Sequence, residues 1–80
     1  MNQVTYCVLF HMGDWQIFSN GVHYGPHRNA DEAIKIAVAA AKRAKKDGEA
    51  ALVLLQNRDG QLQTIWQYGC EFAGSYAYAY

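Results

Sequence analysis

The sequence predicts an α+β domain: an antiparallel sheet in the order β-β-β-α-β-β, with one helix packed on one face. Three observations predict it. Residues 29–48 carry start, stop and periodicity signals for one helix. The segments on either side alternate side chains with a period of two, and glycine-centred turns separate those segments. Runs of strands around a single helix place that helix against one sheet face.

Asn29 is a good N-cap, and Glu32 sits three residues on, where a capping-box carboxylate reaches back to the cap. Asp31 and Glu32 occupy the first turn and Lys42, Arg43, Lys45 and Lys46 the end, both placements suiting the helix dipole. Gly48 supplies a C′ residue free to turn left-handed. Ala30, Ala33, Ile34, Ala37, Val38, Ala41 and Ala44 recur at three-and-four spacing, a single face that buries. Because that face is mostly alanine, the backbone can lie close to a sheet. The other side carries Glu32, Lys35, Lys42, Arg43 and Lys46, with Ile36 and Ala40 as apolar exceptions.

Before the helix, Val4–Met12 presents Val4, Tyr6, Val8 and Phe10 on one side and Thr5, Cys7, Leu9 and His11 on the other. Gly13 follows as a turn into Trp15–Ser19, and the dipeptide Asn20-Gly21 is a strong hairpin signal returning the chain along Val22–Tyr24. Gly25-Pro26 is read as the break that ends this strand. After the helix, the consecutive Leu52, Val53, Leu54 and Leu55 within Ala50–Gln56 suit a central strand buried on both faces. Asn57–Gly60 is a turn, and Gln61–Tyr68 is the last strand, with Leu62, Thr64, Trp66 and Tyr68 on one side. Residues 1–69 form a single α+β domain. Residues 70–80 form a Tyr/Ala-rich tail in which Tyr76, Tyr78 and Tyr80 alternate with alanine. That tail has three readings: an extra C-terminal edge strand over the sheet, a strand added to a neighbouring molecule, or a disordered end.

Eighty residues suffice for one small core. Seven basic and seven acidic residues leave no net charge, and the pI of about 6.8 argues against a dedicated polyanion binder. The N-terminus lacks the basic and apolar regions of a signal peptide, and no apolar run approaches the roughly 18 residues a membrane span needs. The expected location is the cytoplasm, with Cys7 and Cys70 as thiols.

The order and spacing of several residues resemble a small bacterial family known only as a domain of unknown function, number twenty-one eighty-eight. The residues that carry the resemblance are Tyr6, Val8, His11, Trp15 and Ile17, then Glu32-Ala33-Ile34, Ala37 and Ala41. In the second half they are Leu52-Val53, Arg58-Asp59-Gly60, Leu62 and Tyr68-Gly69. The sequence departs from the pattern at Phe10, where such proteins often carry proline, and across Val22–Pro26; the tail lies outside it. The resemblance implies a shared fold and carries no activity with it.

Trp15 and Trp66 can stack a ligand, but a domain this small needs large aromatics for its core, and Tyr6 and Tyr24 read the same way. His11, His23 and His27 with either cysteine offer metal-capable atoms, yet their spacing matches no ligand motif. If His11 lies beside His23 on the helix-free face, the pair forms a pH-sensitive patch. No nucleophile elbow, phosphate loop or carboxylate pair is evident, so the chain reads as a non-enzyme without a cofactor. The function expected is a small binding or self-association module. It would act on a protein partner or a second copy through the helix-free sheet face, the tyrosines 76, 78 and 80, or the Ile36/Ala40 patch. The alternative is a nucleic-acid-binding accessory domain that lays Lys42, Arg43, Lys45 and Lys46 on a phosphate backbone. No membrane partner is expected.

Overall fold

The structure is a computed structural model and describes residues 3–69. Its elements are β1 (Gln3–His11), β2 (Asp14–Ser19), β3 (Val22–His27), α1 (Ala30–Lys46), β4 (Ala50–Gln56) and β5 (Leu62–Tyr68). The elements therefore succeed one another as the sequence predicts. The sheet differs from the expectation in two respects. Its spatial order is β3-β2-β1-β4-β5, and it is mixed: β1 and β4 are parallel, from Gln3 opposite Ala50 to Val8 opposite Leu55, while every other pair is antiparallel. The reason is the helix. It leaves the end of β3, crosses one face, and returns the chain to the sheet edge beside β1 in the direction in which β1 runs. A crossover of this kind makes parallel neighbours, where a tight hairpin makes antiparallel ones.

α1 starts as its sequence dictates. The Asn29 side chain accepts the Glu32 N–H at 2.8 Å, and the backbone of Asn29 is extended. Only half of the capping box forms, because the Glu32 carboxylate turns to His27 Nδ1 at 3.8 Å. At the other end Asp47 is the C-cap and Gly48 has φ +82°, the left-handed position that glycine adopts without Cβ strain. The alanine face does what its smoothness predicts. Ala33, Ala37 and Ala41 are fully buried, and α1 lies chiefly over β1 and β4. Val8, Ile17, Ala51, Val53, Ile65 and Trp66 meet it from the sheet.

Two strand expectations are corrected. β3 does not stop at Gly25-Pro26; it continues to His27, which pairs with Trp15 across a register shift. The Gly25–Pro26 peptide is cis, and a Cβ on Gly25 would stand 3.2 Å from the Trp15 carbonyl oxygen, so glycine is what lets the two strands stay this close. In β5, Leu62, Thr64, Trp66 and Tyr68 do not share a side. A bulge inserts Ile65: Thr64 stands opposite Leu54 and Trp66 opposite Val53, so Trp66 and Tyr68 turn to the helix while Leu62 and Thr64 face away. One extra residue thereby puts both Ile65 (3% exposed) and Trp66 (8%) into the core.

Candidate functional site

The helix covers one face of the sheet. Alternation and register place Cys7, Leu9 and His11 of β1, Gln16 and Phe18 of β2, His23 of β3, Leu52 and Leu54 of β4, and Thr64 of β5 on the other. Two features distinguish this second face. Its strand residues include no lysine or arginine, and Asp14 is its one carboxylate among the described residues. Its centre is apolar, with Leu52 buried, Cys7, Leu9 and Leu54 half-buried and Phe18 exposed, and Gln3, Thr5, Gln16, Gln56 and Thr64 lie around it.

The histidines divide between the faces. His11 and His23 do meet on the helix-free face, their rings stacked with centroids 5.0 Å apart and planes 19° from parallel. Phe18 joins them, 4.7 Å from the His23 ring. His27 is elsewhere, largely buried on the helix side; its Nε2 is buried without a hydrogen-bond partner among the described residues. Among the described residues no three His, Cys, Asp or Glu side chains converge as a metal site would need. Cys7 is half-buried on the helix-free face, and burial raises its thiol pKa, the reverse of what an activated nucleophile requires. Tyr6, on the helix side, is likewise raised, first by burial and then by Glu49 and Tyr24, with Arg43 opposing.

Of the four aromatics read as core, Trp15, Trp66 and Tyr6 are core and Tyr24 is not. Trp66 is buried, and Trp15 packs partly buried against the same cluster, edge-on to Phe10 at 5.4 Å. Tyr6 joins that cluster too, while Tyr24 is half-exposed at the β3 edge.

Ile36 is 45% exposed and Ala40 is partly buried on one flank of α1. At about 100° per residue, Lys45, Lys42, Lys46 and Arg43 follow one another in that order around roughly 160° of the helix end, with Lys45 and Arg43 on its two flanks. Lys45 reaches over the Tyr68 ring at 4.7 Å, on the β5 side, while Arg43 lies where its charge acts on Tyr6. Tyr76, Tyr78 and Tyr80 lie outside the described residues. What sequence reasoning missed is Phe18. Its place beside His23 follows from the Asn20-Gly21 hairpin, which makes the two cross-strand partners.

Among the described residues, no helix is long and apolar enough to cross a membrane. Comparison with curated proteins found no match, and comparison with solved structures found none. A family model does match, over residues 6–68, from Tyr6 within β1 to Tyr68 at the end of β5. The chain belongs to that family, described as an uncharacterised protein conserved in bacteria, DUF2188.

Proposed function

We propose that the domain is a small self-association module whose helix-free sheet face packs against the same face of a second copy. The observation that carries this reading is the composition of that face: an apolar centre within a neutral Gln/Thr rim, the arrangement of a protein interface. A surface with no lysine or arginine and one aspartate neither attracts a polyanion nor repels its own copy. Phe18, 38% exposed beside the stacked histidines, is the natural anchor.

Size sets the class of interface. Five strands at about 4.8 Å spacing and six residues at about 3.3 Å rise give a face of roughly 480 Å² in projection. Two such faces fall near the lower limit of roughly 1,000 Å² for a specific interface, the size class of weak and transient contacts. Sedimentation equilibrium tests this directly. The mass per particle rises with concentration in the parent chain, Phe18→Glu holds it at the monomer value, and Ile36→Lys leaves it unchanged. A chain that stays monomeric to about 1 mM sinks the proposal. A chain lacking residues 70–80 separates the sheet face from the tail: loss of the dimer in that chain transfers the role to the tyrosines.

The nucleic-acid reading has less support, because the chain carries no net charge and Lys45 already engages the Tyr68 ring.

A further inference from the structure

β1 and β4 are parallel neighbours whose chains part company at their carboxyl ends. After His11 the chain turns toward β2 on one side; after Gln56 it turns toward β5 on the other. In open α/β sheets, a divergence of neighbouring parallel strands opens a ligand-binding crevice outside their carboxyl ends, and the β1/β4 divergence leaves a comparable opening. Here the crevice is a cleft of about 530 Å³, lined by Phe10, Trp15, Gln56, Asn57, Arg58 and Gly60. Its volume lies within the usual range for small-molecule sites.

The walls specify the chemistry. Phe10 and Trp15 form an edge-to-face pair, and Phe10 remains 58% exposed although it is a large apolar side chain. The facing wall is a loop held by its own hydrogen bonds. Asn57 N–H donates to Gln61 O at 2.8 Å, Gly60 N–H to Asn57 O at 2.9 Å, and Gln61 N–H to Asp59 Oδ1 at 3.1 Å. Asp59 is thus engaged within the turn, and Arg58 has no ion pair among the described residues. The side-chain amides of Gln56 and Asn57 supply further polar groups beside the guanidinium.

We infer that this cleft binds a small planar aromatic carboxylate, its ring against Phe10 and Trp15 and its carboxylate on Arg58. One guanidinium with no second cation in the lining matches a monoanion, and its planar fork matches a carboxylate. The aromatic wall of the cleft lies on the helix side of the sheet, with Phe10 and Trp15, and only Gln56 is shared with the rim of the helix-free face.

Titration of 2-naphthoate into the labelled protein, read in amide and indole N–H spectra, tests it. The chain has two tryptophans, so the internal control is built in. Saturable shifts are expected at the Trp15 indole and at residues 57–60 while the Trp66 indole stays still, with Kd of about 1 mM, ordinary for a ligand of this size. Arg58→Gln weakens 2-naphthoate about fivefold and leaves neutral 2-naphthamide unchanged, the scale of one exposed charge pair. Phe10→Ala, at an exposed position, weakens both probes. Absence of saturable shifts at Trp15 overturns the inference. So does an Arg58→Gln loss shared equally by the neutral probe, or an equal loss in Lys46→Gln, which would reduce the effect to non-specific charge.

Discussion

The two faces of one sheet are made from the same strands and behave as different materials. On the covered face the partners are small and close: Ala33, Ala37 and Ala41 have no exposed surface, and Val8, Ala51 and Val53 beneath them have none either. On the other face the apolar residues are interleaved with Gln, Thr and His, and Phe18 and Leu62 remain open to solvent. The difference teaches where stability and recognition are divided. The face sealed by alanine holds the fold, and the neutral, incompletely covered face is left to meet something else.

Changes on the covered face test that division hardest. Trp66→Ala removes the largest side chain of the buried cluster and is expected to cost about 3–5 kcal/mol in urea unfolding. Ala37→Leu pushes α1 off the sheet and is expected to cost about 1–3 kcal/mol by overpacking, although it adds apolar surface. Should Ala37→Leu prove neutral or stabilising, the close helix–sheet approach would not be a constraint at all.

Alkali provides a test that touches both faces. Burial raises the pKa of Tyr6 on the covered face and of Cys7 on the other. Each folded group holds its proton more tightly than the unfolded chain does. Their contribution is therefore complete below the ordinary values of 9.0 for Cys7 and 10.0 for Tyr6, and is lost as pH rises through the higher folded values. Unfolding midpoints in urea are expected to be level from neutral pH and to fall above pH 9.0. Cys7→Ser should delay the onset of that fall, and an unchanged onset would show that Cys7 is as solvated as in the unfolded chain. The smallest effect belongs to Phe18→Glu, expected to shift stability of dilute monomer by no more than about 0.5 kcal/mol, as at other surface positions, while abolishing association. A loss of several kcal/mol would mean that the helix-free face is structural after all.

Much of this division was legible in the sequence. The alanine spacing identified the buried helix face, and the alternation in β1 sorted Val4, Tyr6 and Val8 from Thr5, Cys7 and Leu9 correctly. Two things were not legible. The parallel pairing of β1 with β4 depends on which side of β1 the crossover returns to, and no local pattern records that choice. The reversal within β5 hangs on the insertion of Ile65 into a bulge, which leaves the period-two pattern of Leu62–Tyr68 intact on paper while rotating its second half. The histidine pair was legible only conditionally: the sequence named His11 and His23, and the tertiary register brought them to stacking distance. The switch-point cleft was invisible for the same reason as the parallel pairing that creates it.

That pairing also dictates an order of events. β1 finds β2 through a tight turn, but its other neighbour, β4, begins with Ala50 opposite Gln3, more than half the chain away. As the chain emerges during synthesis, the first three strands can assemble early, and β1 then waits with one edge unpaired until the helix and β4 have followed. Non-local pairing of this kind slows folding, and an unfinished edge is the part of a nascent chain most open to pairing with a stranger.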